Sequence, residues 1–290
     1  MNKIILILGA QGNLGQQLVK AFESNYEVLA WDRGKLDITD RESVPEKIKS
    51  VKPDIIVNSA AYNAVDKCEE DENEFESAKK INGEAPGILA RAALENDALL
   101  VHYSSDYVFG GENKNGYGED DEPNPISRYG ETKLMGEREV LKHKNRGLKY
   151  YIIRTSKLFG PRAASKASKP SFFDIMLKLA ESKKELDAVD EELSCFTYTP
   201  DLAKATKELI EGKKPYGIYH IANSGPCTWY EAAKELFKLA GVDVKVNPVS
   251  ADKFPRPAKR PKYSVLLNTK LDNLRNYKEA LGEYKQVKSL

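Results

Sequence analysis

Short apolar runs alternate along the chain with longer stretches whose apolar side chains recur every three or four residues. Lys3–Leu8 (KIILIL), Glu27–Trp31, Asp54–Asn58 (DIIVN), Ala98–Tyr103 (ALLVHY) and Lys149–Ile153 (KYYII) are apolar on both faces, as strands buried inside a parallel sheet must be. Between them Leu14–Ser24, Arg41–Ser50, Glu74–Asn96 and Ser127–Lys144 carry the helical period. The alternation predicts an α/β fold, a Rossmann-type doubly wound parallel sheet with helices on both faces.

Past Gly160 the texture changes. Pro161–Pro170 (PRAASKASKP) is small, basic and prolyl, the composition of an exposed loop. Helical patterns follow at Phe172–Ser182, Pro200–Glu211 and Thr228–Ala240, with Thr228 as an N-cap and Gly241 as a stop. Gly217–Ala222 and Val242–Val246 read as strands, and Phe254–Pro261 as a proline-stiffened basic segment. Residues 1–155 are therefore expected to form the sheet domain, to which a strand near 217–222 returns, and residues 156–290 mainly a smaller lobe.

Composition narrows the classes. Lys plus Arg is 45 against Asp plus Glu at 44, which excludes a chain that binds nucleic acid through overall positive charge. No apolar run approaches a membrane span, and Met1-Asn2-Lys3 lacks the form of a signal peptide. The three cysteines are far apart, as suits a reducing compartment, so a cytoplasmic location is expected. The three histidines are scattered, with no metal-ligand spacing.

Gly9-Ala-Gln11-Gly12-Asn13-Leu14-Gly15 lies between the first strand and the first helix. There glycines permit a tight turn and close approach to a pyrophosphate, whose charge the helix N-terminus holds. Asp32 ends the second strand, where a carboxylate accepts from adenosine ribose hydroxyls and disfavours a 2′-phosphate; the adjacent Arg33 could bind one. The cofactor expected is NAD(H) or NADP(H), bound by residues 1–155. Asp37 and Ile38 stand where they would flank the adenine, although Asp37 also suits a helix cap.

Tyr129 and Lys133 fall at i and i+4 of a helix, so phenol and ammonium share a face. A neighbouring ammonium would lower the phenol pKa and make Tyr129 a usable acid or base. Tyr230-x-x-x-Lys234 and Tyr284-x-x-x-Lys288 match the same spacing and are read as incidental. What separates Tyr129 is Ser105, at the carboxyl end of a buried strand, where its hydroxyl reaches the ligand crevice of an open α/β sheet.

With the glycine motif, Asn58-Ser-Ala-Ala-Tyr62, Ser104-Ser-Asp-Tyr-Val-Phe109 and Tyr129-Gly-Glu-Thr-Lys133, the chain resembles the extended short-chain dehydrogenase/reductase family. More narrowly it resembles the branch that reduces dTDP-4-dehydro-6-deoxy-L-mannose (dTDP-4-keto-L-rhamnose) to dTDP-L-rhamnose. Ala64–Glu69, Arg154-Thr-Ser156, Thr197–Ala203 and Arg256–Ser264 extend the likeness across nearly the whole chain. The resemblance implies that Tyr129 donates the proton, that Lys133 holds the nicotinamide ribose, and that Ser105 stands for the family's threonine. It implies a cofactor lining of Gly12, Asn13, Leu14, Ala60, Ala61, Tyr62 and Asn63, with Val65, Asp106 and Tyr107 bordering the sugar. Arg256 and Arg260 are then expected on the diphosphate of a nucleotide sugar.

The chain also departs from that pattern. Lys157 stands where the family commonly has tryptophan, and could reach a phosphate or hydroxyl. Asp106 is followed by Tyr107, not by the glutamate of related 4,6-dehydratases, which favours reduction over elimination. Gln17 replaces a glutamate that binds magnesium between subunits in some members, so no metal is expected; a homodimer is implied only by the likeness. A reductase of UDP- or GDP-linked keto sugars and a non-catalytic regulatory subunit of the same fold stand as the alternatives.

Overall fold

The computed structural model describes residues 3–163, 165 and 168–287. Residues 164, 166 and 167 of the basic loop expected at 161–170, together with Met1 and Asn2, lie outside the described residues. The chain opens with β1 (Ile4–Leu8), α1 (Asn13–Phe22), β2 (Glu27–Trp31), α2 (Ser43–Val51) and β3 (Ile55–Asn58). Then α3 (Lys67–Glu70) and α4 (Glu72–Ala78) lead through a π-helical segment, Lys79–Glu84, into α5 (Ala85–Glu95). After these come β4 (Leu99–Ser105), α6 (Arg128–Leu141), β5 (Lys149–Thr155), β6 (Leu158–Phe159), α7 (Phe172–Ala180) and β7 (Glu185–Val189). The remainder is β8 (Thr197–Tyr198), α8 (Thr199–Glu211), β9 (Gly217–His220), β10 (Asn223–Ser224), α9 (Trp229–Ala240), β11 (Lys245–Val249), β12 (Leu274–Asn276) and α10 (Tyr277–Val287).

Six strands form one parallel sheet in the order β2-β1-β3-β4-β5-β9. Because strand side chains alternate, Ile5 and Ile7 point to one face, where they join Leu14, Leu18 and Phe22 of α1 and Leu202 and Leu209 of α8. Leu6 and Leu8 point to the other, against Val44 and Ile48 of α2, Leu89 of α5 and Val140 of α6. The chain runs outward from β1 to β2, then back past β1 to β3, so the order reverses at β1 and β3. Outside the carboxyl ends of those two strands lies the crevice in which such sheets bind ligands.

A separate apolar cluster is built from α7, α9 and α10 around Phe159, Phe173, Phe196, Leu236 and Tyr284. It rests on the parallel pair β7–β11 and the short pairs β6–β8 and β10–β12. The strand expected at Val242–Val246 instead occupies Lys245–Val249. Gly241 ends α9 at φ +66°, and the Val242 N–H turns back onto the Phe237 carbonyl at 3.1 Å, so the helix cap takes the first valine. Among the described residues no helix is long and apolar enough to cross a membrane.

Candidate active site

The Gly9 turn follows β1 at φ +74°, and a β-carbon there would sit 2.7 Å from the Ala60 nitrogen beyond β3. Only glycine lets the two strand ends approach so closely. The turn opens a cleft of about 930 Å³ that contains Gly9, Gln11, Gly12, Asn13 and Leu14, then Asp32, Arg33, Asp37 and Ile38. Its walls continue through Ala60, Ala61 and Asn63 to Ser105, Tyr129, Lys133 and Lys157. Of the residues expected in the site, Tyr62, Val65, Asp106, Tyr107, Arg256 and Arg260 do not line this cleft.

At the dinucleotide end the acid is tightly engaged. Gln11 donates to Asp32 through its side-chain amide, and the Gly34 N–H donates to the same carboxylate at 2.8 Å. Arg33 is exposed and turns its Nε to Asp37 at 3.2 Å. Burial opposes ionisation of Asp37, yet the Thr39 hydrogen bonds and Arg33 hold its carboxyl below the usual range. Asn13 faces the cleft but also grips residues 163–169, accepting from the Ala163 N–H at 2.9 Å and donating to the Lys169 carbonyl at 3.1 Å.

At the other end Ser105 closes β4 while Tyr129 and Lys133 sit on α6, whose N-terminus is capped by Ser127. The Tyr129 phenol donates to the Asn63 carbonyl oxygen at 3.3 Å, and the Ser105 hydroxyl is the neighbour that pulls its pKa down. Burial outweighs that, and with Asp106 and Tyr107 it pushes the phenol well above its ordinary value. The expected depression by Lys133 is thus corrected. The ammonium is directed at the Tyr103 carbonyl, 2.7 Å away, and its own pKa is lowered to about 8 by burial.

Around Tyr129 stands an apolar wall of Tyr62, Val65, Phe75 and Tyr107, with Tyr107 edge-on to it at 5.6 Å. Tyr62 and Val65 belong to that wall; Tyr62 donates to Glu74 at 2.6 Å. Asp106 is buried, and its carboxylate accepts from the hydroxyls of Ser105 at 3.0 Å, Ser156 at 2.8 Å and Ser264 at 2.7 Å. It holds the hydroxyl groups in place from behind the cleft wall.

Arg256 and Arg260 line a second cleft of about 450 Å³ together with Lys259, Lys262, Glu191 and Glu192. Neither guanidinium is free: Arg256 is paired with Glu192, and Arg260 clamps Asp66 through both terminal nitrogens at 2.8 and 2.7 Å. The sequence reading missed these carboxylates because residues 66 and 260 are brought together only by the tertiary fold. It also missed Asn82, inside the π-helical segment. Asn82 accepts from the Tyr62 N–H and donates to the Tyr62 carbonyl, both at 2.9 Å, and so fixes the backbone next to Asn63.

A glycine turn at the switch point of a parallel sheet, with a hydroxyl, a phenol and an ammonium farther along one cleft, places the chain in the Rossmann class. It belongs to the RmlD substrate binding domain family, which matches residues 1–288. It is 41% identical to the solved dTDP-4-dehydrorhamnose reductase of Clostridium acetobutylicum, with a TM-score of 0.90 covering 99% of this chain and 100% of that one. The dTDP-4-dehydrorhamnose reductase of Bacillus anthracis, solved in complex with NADP, is 34% identical with a TM-score of 0.91 over 99% and 100% of the two chains. The spore coat polysaccharide biosynthesis protein SpsK of Bacillus subtilis is 37% identical over 98% of each chain.

Proposed function

We propose that the chain reduces dTDP-4-dehydrorhamnose to dTDP-L-rhamnose with NAD(P)H, Tyr129 supplying the proton. The observation that carries this reading is the joining of Ser105, Tyr129 and Lys133 to the Gly9–Gly12 turn by one continuous cleft. The likeness to reductases of that sugar nucleotide supports the substrate. A merely regulatory chain has no need to keep all three groups on one cleft wall.

The cleft fits a dinucleotide. Gly12 begins α1, whose first turn carries no acidic residue, so the helix N-terminus is suited to a pyrophosphate. Asp32 is placed to accept from ribose hydroxyls, and the exposed Arg33 can swing to a 2′-phosphate, so either form of the nicotinamide dinucleotide is accommodated. When bound, that group supplies the hydride. The protein does the rest.

Tyr129 keeps its proton at neutral pH because burial disfavours the phenolate, which suits an acid that gives a proton to the ketone oxygen. Ser105, held by Asp106, donates to the same oxygen as negative charge develops there. Lys133 has donors left beyond its bond to Tyr103 and presents them to the nicotinamide ribose. We assign residues 156–290 mainly to holding the sugar nucleotide, with Val65 and Tyr107 beside the sugar. On this reading Arg256 and Arg260 meet the diphosphate only by sharing or leaving their carboxylate partners.

The test follows loss of the reduced-nicotinamide absorbance with dTDP-4-dehydrorhamnose. Tyr129→Phe should lower kcat about 100-fold or more with little change in cofactor affinity. Ser105→Ala should lower it by about 100-fold as well. A Tyr129→Phe protein that keeps wild-type kcat would remove the proton-donor assignment.

A further inference from the structure

Lys157 carries an unmet requirement. It lies between β5 and β6 at φ +40°, in the left-handed region that a lysine rarely occupies. Its ammonium is shielded from solvent and has no hydrogen-bond partner among the described residues. Instead it sits 3.7 Å from the centre of the Trp229 ring and 5.1 Å from that of Phe196. Aromatic faces offset part of the charge but leave N–H donors unused, and a buried donor without an acceptor is unfavourable.

The nearby carboxylates are committed elsewhere. Asp106 accepts from three hydroxyls, and Glu192 is taken by Arg256 and by the Trp229 indole N–H at 2.8 Å. Lys157 lines the cleft of Ser105 and Tyr129, while Glu192 and Arg256 line the second cleft. The lysine therefore stands where a molecule reaching from one cleft to the other must pass. In a nucleotide sugar whose carbonyl is at Tyr129 and whose diphosphate lies toward Arg256, that part is the hexose ring.

We propose that Lys157 donates to a ring hydroxyl of the hexose, so that the chain selects sugars that keep this hydroxyl over their deoxygenated counterparts. The inference rests on the nucleotide-sugar reading above.

The test compares wild type, Lys157→Met and Lys157→Arg on dTDP-4-dehydrorhamnose and on its 2-deoxy and 3-deoxy analogues. Wild type should prefer the parent over one analogue by about tenfold or more in kcat/KM. Lys157→Met should shrink that ratio to within about threefold, whereas Lys157→Arg should keep most of it. The KM for reduced nicotinamide should stay the same in all three proteins. Equal losses on every sugar, or an unchanged ratio, overturn the proposal; so does the absence of any preference in wild type, which needs no variant to fold. Should wild type turn over none of the sugars, the proposed reduction fails separately. Selection is then read by calorimetric binding of dTDP-L-rhamnose and its deoxy analogues. Discrimination that disappears in Lys157→Met upholds the role of Lys157, and equal affinities overturn it.

Discussion

Tyr129 and Lys133 show how burial can decide a pKa against a nearby charge. The phenol rises and the ammonium falls to about 8, so at neutral pH the pair is protonated and remains so until the lysine releases its proton. With a lowered lysine, charge is present below about pH 8 and lost above it. The kcat/KM for keto-sugar reduction should therefore be flat from about pH 6 to 7.5 and fall as pH rises through about 8. Lys157 is also lowered to about 8, by burial, so the profile is repeated in Lys157→Arg, whose guanidinium does not titrate there. A fall that persists in that protein belongs to Lys133, and one that vanishes belongs to Lys157. The local spacing of Ser105, Tyr129 and Lys133 could be read from sequence because strand end and helix face are local properties. The three hydroxyls on Asp106 could not, since Ser264 is 158 residues away and chain pattern carries no trace of that contact.

At the scale of elements, the three glycines of the first turn perform different work. A β-carbon on Gly15 would lie 2.2 Å from the Gly9 carbonyl oxygen, where α1 packs on the turn. On Gly12 the nearest neighbour listed by geometry is that same oxygen at 3.2 Å, with the cleft beyond. Gly15→Ala should thus destabilise the fold by about 1–3 kcal/mol in urea unfolding. Gly12→Ala should unfold near the wild-type midpoint yet bind dinucleotide at least about tenfold more weakly, measured by calorimetry. The reverse pattern would show that the turn, and not the ligand, needs Gly12. The five strands expected in the first half all lie in the sheet, because their apolar runs need burial on both faces. The single helix expected at Glu74–Asn96 contains a π-helical segment, since Asn82 turns inward to bond the Tyr62 backbone. Strand β7 escaped notice because ELDAV is short and edged by charges, and its pairing with β11 spans 60 residues. Helix α10 was also missed, although its buried Tyr277, Ala280, Leu281 and Tyr284 fall at helical spacing.

For the molecule as a whole, the decisive contact is an ion pair beneath the site. Arg154, 2% exposed, donates from Nε to one Glu137 oxygen at 2.9 Å and from Nη2 to the other at 2.7 Å. Its third nitrogen reaches the Glu119 carbonyl oxygen at 3.3 Å and faces His220 at 3.4 Å. Burial first, and then Arg154, lower His220 to about 4, so the imidazole is neutral and does not add a second positive charge. The Glu119 carboxylate accepts in turn from the Thr269 hydroxyl at 2.6 Å. One network therefore ties α6, which carries Tyr129 and Lys133, to β5, β9 and the late segment at residue 269. A buried pair of this kind stabilises little over an apolar replacement, but losing one partner strands the other charge in the interior. Glu137→Leu should lower the unfolding free energy by about 3–5 kcal/mol, while Glu137→Leu with Arg154→Met should recover most of that loss. Urea unfolding of the two single variants and the double variant measures the coupling. If the double variant is as unstable as the sum of the singles, the two charges are not coupled and the network is a chance of packing. If it recovers stability but loses kcat, the pair positions α6 for catalysis and does not serve stability, which is the outcome the geometry favours.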